Sequence, residues 1–172
     1  MIDVTGLIQI EQREGLPPRL RDRLVMRGEE RMVVVLHPGE ADAPREIVLT
    51  QDDVRQVQLA KGAIASGIAL LQRVAGVSNA DVAELMLAGG FGNYLSIPSA
   101  TGIGLIPALA PERIRYVGNA ASLGAQMCLL SEDERRLAER IAARIEHVSL
   151  AAHPEFEQVF VDAMNFPSPG TP

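Results

Sequence analysis

Twice in this chain a short apolar strand runs straight into glycine. Glu84 to Ala88 (ELMLA) enters Gly89-Gly90-Phe91-Gly92, and Ile114 to Val117 (IRYV) enters Gly118-Asn119-Ala120-Ala121. A strand that stops at a turn and continues into a helix buries itself by letting that helix pack back on it. Repetition of the unit therefore points to an α/β domain, a mixed sheet covered by helices.

The rest of the chain fits that frame. Arg31 to Leu36 (RMVVVL) and Glu46 to Leu49 (EIVL) read as two strands of a hairpin around the turn-rich HPGEADAP. Thr50 and Asp53 form a capping box with Asp in place of Glu, and open the strongest helix of the chain. Its apolar residues recur at Leu59/Ala60, Ala63/Ile64, Gly67/Ile68 and Leu70/Leu71, a stripe expected to be buried, and Gly76 ends it. Residues 2–14 are expected to be helical, stopped by Gly15 and Pro17-Pro18. A helical turn or two is expected within Pro98 to Pro107. Ala120 to Leu130 is an apolar helix, and Ser131 with Glu134 caps the next. Val148 to Leu150 reads as a last strand, His153 as a turn or cap residue, and Pro154 to Met164 as a last helix. No internal repeat is visible.

Composition excludes several function classes. With 172 residues, 47% hydrophobic content, 3% aromatics and no Trp, the core is aliphatic. The net charge of -6 leaves no dense positive patch, so neither nucleic acid nor a membrane surface is an expected partner. The cluster Arg19, Arg21, Arg23 reads as a solvated segment. Cys128 is the single cysteine. It cannot close a disulfide within the chain or hold an iron–sulfur cluster or a four-Cys zinc site, and core packing is its expected role. His37, His147 and His153 lack ligand spacing, so no metal site is expected. No apolar run approaches the ~20 residues of a membrane span, and no signal peptide is visible, which points to the cytoplasm.

Three places could carry a ligand. At Gly89, Gly90, Phe91 and Gly92 a strand ends in glycines that permit positive φ and remove Cβ atoms, at the strand end where α/β sheets bind ligands. A tight strand–helix turn is the plainer reading of the same residues. At Gly118 and Asn119 a second strand end opens a helix of small residues, whose amides could face a polar ligand; close helix packing explains it equally. Lys61, beside Ala60 and Gly62, could present its ammonium to a nucleotide, or simply snorkel to water. No nucleophile, general base or other catalytic residue is identifiable.

Taken in order, TQDDVRQVQLAKGAIASGIALL, ELMLAGGFGNYLSIPSATGIGLIP, IRYVGNAASLGAQMCLLS and HPEFEQVFVDAMNFP resemble the C-terminal region of the reductive activators of corrinoid-dependent enzymes. The resemblance runs from about Ile2 to Pro167. It rests on Ala60-Lys61, Gly89-Gly90-Phe91-Gly92-Asn93-Tyr94, Ile103 to Pro107, Gly118-Asn119-Ala120-Ala121 and Phe166-Pro167. It implies a ribonuclease-H-like lobe of an actin-like ATPase, in the superfamily of acetate and sugar kinases, heat-shock chaperones and actin. Residues 1–167 would be the C-terminal part of that domain, incomplete by itself, and residues 168–172 a disordered tail.

The resemblance further implies ATP with Mg²⁺ in the parent protein, and a 2Fe–2S ferredoxin cluster only in an N-terminal region that this chain lacks. The implied partner is a corrinoid-binding methyl-transfer protein, whose Co(II) is returned to Co(I); a homodimer is compatible with it. The Gly89–Gly92 turn falls on the implied adenosine motif, the Gly118-Asn119 turn on the implied last connecting motif, and the helix carrying Lys61 on a helix that contacts the adenosine. The superfamily's D-x-G-[TS] phosphate motif is absent, so the chain alone is expected to be inactive and to bind no cofactor by itself. An expressed fragment and a truncated gene are equally compatible with this. A docking or dimerisation module for a corrinoid protein, and part of a small-molecule kinase, are the alternative readings.

Overall fold

A computed structural model describes residues 1–90 and 94–168. In chain order the elements are α1 (Pro18–Arg21), β1 (Leu24–Arg27), β2 (Glu30–Leu36), β3 (Ile47–Thr50), α2 (Gln51–Ala75), β4 (Leu85–Ala88), α3 (Ile97–Gly102), β5 (Ile114–Gly118), α4 (Ala120–Leu130), α5 (Glu132–Ala142) and α6 (Phe156–Met164). The chain divides into two compact units, Met1–Ser66 with Glu157–Pro172, and Gly67–Phe156. The two pairing modes of the expected mixed sheet are both present, but each unit has its own sheet.

The first unit holds an antiparallel sheet in the order β1-β2-β3. The expected hairpin is β2 and β3, with Val33 opposite Leu49 and Val34 opposite Val48. β1 is an addition, pairing Leu24 with Val33. Ile8, Leu24, Val33 and Val54 form the buried core, with Ile2, Leu49 and Phe166 packed against it. The solvated reading of the arginine cluster holds for the exposed Arg19 and fails at Arg23. Its guanidinium bridges both carboxylate oxygens of Glu40 at 2.7 and 2.9 Å and donates to the Val35 carbonyl at 2.6 Å.

Residues 2–14 are not a helix. Asp3 Oδ1 accepts from the Thr5 amide, the Thr5 hydroxyl and the Leu7 amide, and Gly6 takes φ +83°. An aspartate that satisfies nearby amides with its own side chain competes with the helix. The segment instead folds back to form an isolated antiparallel bridge, Ile2 to Ile8, and a single 3-10 turn follows at Arg13–Gly15.

Glu11 then grips Arg31 with two contacts, at 2.5 and 2.7 Å. These hydrogen bonds hold the Glu11 carboxyl down at about 2, from an ordinary 4.5. A depressed carboxylate stabilises the fold above its unfolded value and loses that contribution as pH falls through its folded one. Between pH 4.5 and about 2 the urea midpoint of the first unit should therefore fall more steeply than in Glu11→Gln; parallel curves would remove the pair from its stability.

α2 begins as its sequence requires. Thr50 Oγ1 accepts from the Asp53 amide, and Asp53 Oδ2 accepts from the Thr50 amide at 2.8 Å. Gly76 follows the helix at φ +67°. The buried face coincides with the expected stripe at Gly67 and Leu70 and departs from it elsewhere. Val54, Gln58, Lys61, Ser66 and Leu70 are buried, while Leu59, Ile64 and Leu71 stay about half exposed.

In the second unit β4 and β5 pair in parallel, Leu85 with Ile114 and Leu87 with Tyr116. Ala100, Ile106 and Ile114 form its buried core, with Leu85, Leu87, Leu95 and Ile97 against it. The Ser131 hydroxyl caps α5 by accepting from the Glu134 amide at 3.3 Å. Cys128 is half-buried on α4. Val148 to Leu150 forms no strand; a 3-10 turn, Leu150–Ala152, occupies the end of that segment. His153 Nδ1 accepts from the Glu155 amide just ahead of α6, the turn role expected of it. Residues 169–172 of the expected tail lie outside the described residues.

Candidate functional site

The two strand ends of the second unit meet. A register shift between Leu87 and Ala88 sets Ala88 opposite Gly118, and the Gly89 amide donates to the Gly118 carbonyl at 2.8 Å. Gly89 takes φ +96° and Gly118 φ +63°, backbone that a side chain would strain. Among the described residues, a Cβ built on Gly89, Gly90 or Gly118 meets no atom within 4 Å beyond its chain neighbours. The glycines are thus not explained by crowding. They leave a bare shelf of backbone at the carboxyl ends of two parallel strands, the place where α/β sheets receive ligands.

Asn119 follows directly. Its side-chain oxygen accepts from the Ser122 amide at 3.0 Å and so caps α4. Tyr116 pins the neighbouring segment by donating its hydroxyl to the Leu95 carbonyl. Phe91 and Gly92, expected in the same site, lie outside the described residues, as does Asn93. Among the described residues no group of three His, Cys, Asp or Glu side chains is placed to hold a metal ion. No helix among them is long and apolar enough to cross a membrane.

Lys61 belongs to the first unit, and its side chain neither snorkels nor stands free. The residue is 2% exposed. Its Nζ donates to the Ala163 carbonyl at 2.6 Å and to the Asn165 carbonyl at 2.5 Å, and lies 5.3 Å from the centre of the Phe166 ring. Burial pushes its pKa below the ordinary 10.5. The carbonyl acceptors and the ring face favour the charged form. One turn earlier, Gln58 Nε2 donates to the Thr5 and Met164 carbonyls at 3.0 and 3.1 Å. Sequence reasoning missed this cluster. A signal for it was present: Lys61 is the single lysine among 16 basic residues, the other 15 being arginine.

Comparison with known proteins decides the family. The model for the C-terminal domain of RACo, the ASKHA domain, matches residues 4–171. This chain belongs to that family. The corrinoid activation enzyme RamQ of Eubacterium limosum is 38% identical over 132 residues, covering 77% of this chain and 22% of that protein. A solved structure of a reductive activator for a corrinoid, iron–sulfur protein superposes with a TM-score of 0.78 at 28% identity, covering 97% of this chain and 26% of that one. The chain thus spans about a quarter of each relative. Its fold is that of an ASKHA domain: α/β, as the strand–glycine units predict, and of the actin-like class that the resemblance implies.

Proposed function

We propose that residues 1–167 are the C-terminal portion of the ATPase-like domain of a reductive activator, and that Gly89, Gly90, Gly118 and Asn119 form its floor for the adenosine of ATP. Phe91 and Gly92, outside the described residues, are assigned to the same site from their sequence alone. The activator returns a Co(II) corrinoid on a methyl-transfer protein to Co(I). ATP supplies the drive, and the electron comes from a 2Fe–2S cluster carried outside this chain. The chain's own share is to hold and orient the nucleotide. It does not turn ATP over alone, because phosphoryl transfer depends on positioning Mg²⁺ and the γ-phosphate, and the sequence carries no D-x-G-[TS] motif.

The observation that carries this reading is the open glycine shelf. A flat base gains contact only where backbone is unobstructed, and here no described residue beyond the chain neighbours fills the space where side chains of three glycines would stand. Family membership supports it, and so do relatives whose names state corrinoid activation.

Gly90 offers a clean test. Its φ is not positive and its missing Cβ faces open space, so Gly90→Val should fold normally while its methyl groups occupy the base position. Titration of the complete parent protein with ADP should show affinity lowered at least about tenfold, the scale of one lost contact set worth ~1.4 kcal/mol. Equal affinity in Gly90→Val would transfer support to the reading of the domain as a docking or dimerisation module.

A further inference from the structure

Lys61 is unlike every other basic residue of the chain. It is the one basic side chain that this chain builds as an ammonium rather than a guanidinium, and it is almost completely buried. Its environment gives the reason. α6 ends at Met164, and the last carbonyls of a helix have no partner within the helix. A cation at that end also complements the helix dipole. A compact ammonium with three donors can sit between the Ala163 and Asn165 carbonyls with a ring beside it. A planar guanidinium needs a fork of acceptors instead.

The surrounding contacts form one junction. Gln58 takes the Met164 carbonyl between those two. The Phe166 amide donates to the Val4 carbonyl at 2.7 Å, tying the segment to the N-terminal turn. Phe166 itself packs on the core of the first unit. α6 approaches α2 closely at Gly62, where an added Cβ would stand 3.0 Å from Met164 Cγ. Two stretches that carry the family pattern, Ala60-Lys61 and Phe166-Pro167, therefore meet at one place in the fold.

We propose that residues 163–167 are a strap closing the first unit, that Lys61 is its clasp, and that the strap opens and closes as a unit without unfolding the sheet beneath it. The strap is fastened by a few backbone carbonyls and one ring, whereas the sheet is held by its ladder and the Ile8–Leu24–Val33–Val54 core. Segments held by few contacts open locally at lower free energy than the core. Closed, the strap hides the chain's single ε-amine; open, it presents that amine together with Phe166. This proposal does not depend on the nucleotide reading, and assigns Lys61 to the strap in place of a ligand.

The single lysine makes the test specific. Lys61 and the Met1 α-amine are the amines of this chain that acetic anhydride can acylate; hydroxylamine reverses O-acetylation of tyrosine, and mass spectrometry of peptides separates the two amides. In the native chain Lys61 should react at least about tenfold more slowly than in urea, protection being the measure of rare opening. Phe166→Ala should raise its reactivity by about tenfold or more while the β2 amides stay protected from hydrogen exchange. Lys61→Met should raise exchange across residues 156–166, and Lys61→Arg should not restore protection. Native reactivity equal to that in urea would overturn the proposal. So would Phe166→Ala loosening β2 and Lys61 together. Lys61→Met lowering ADP affinity in the parent protein with exchange of residues 156–166 unchanged would return the lysine to a ligand role.

Discussion

Gly6→Ala should destabilise the first unit by about 2–3 kcal/mol, although it adds a single methyl group. Gly6 takes φ +83°, a left-handed conformation that costs a side chain about 1–2 kcal/mol. The new Cβ would also stand 2.3 Å from Gln58 Oε1 and 2.5 Å from its Nε2. The end of a glutamine side chain can move, but moving it strips the Thr5 and Met164 carbonyls of their shared donor. Leaving these part-buried acceptors without their donor adds about 1 kcal/mol, the low end of the penalty for a buried one. The loss should appear as a lowered urea midpoint for exchange of the β2 amides. A double-mutant cycle with Gln58→Ala divides the effect: the backbone share survives removal of the glutamine and the displacement share disappears. A midpoint unchanged in Gly6→Ala would show that the turn accepts a side chain and that Gln58 is not held.

Leu24→Ala should cost a similar amount, about 3 kcal/mol, for a different reason. Leu24 is 1% exposed and belongs to the core with Ile8, Val33 and Val54. Truncating a buried leucine removes its transfer free energy and leaves a cavity, a loss of about 2–5 kcal/mol. A neighbour such as the half-exposed Val35 should tolerate the same change to Ala with a far smaller effect. The urea midpoint should fall with the slope unchanged, since the surface exposed on unfolding hardly differs. A cost below about 1 kcal/mol would mean that β1 is not part of the cooperative core.

β1 also shows where sequence reading stopped short. Four residues, Leu24–Arg27, follow a run of alternating arginines and one aspartate, and the charges draw attention from the strand. What makes it a strand is β2, which pairs with it residue for residue. The same limit applies to residues 2–14. Their apolar spacing allowed a helix, while Asp3 had the means to satisfy the local amides by itself, and the Ile2–Ile8 bridge formed instead. At the glycine shelf the sequence was more informative. The abrupt strand ends predicted positive φ at Gly89 or Gly90, and Gly89 has it. The hydrogen bond joining the two turns needed the parallel register of β4 and β5.

The division follows the range of the interactions. Sequence alone determined what neighbours within four residues decide: the Thr50–Asp53 capping box, the Ser131 cap, the glycine stop at Gly76 and the strand–glycine joints. In each, a side chain or a bare glycine completes a backbone requirement of its own turn. Tertiary structure alone decided which face of α2 is buried. Periodicity ranks positions by apolarity and selected Leu70, which is buried, together with Leu59, Ile64 and Leu71, which are not, and the buried face also carries Gln58 and Lys61. Their partners are the Met164 and Ala163 carbonyls, 106 and 102 residues away in sequence. These part-buried carbonyls at the end of α6 take their donors from Gln58 and Lys61, and no pattern within α2 records that demand.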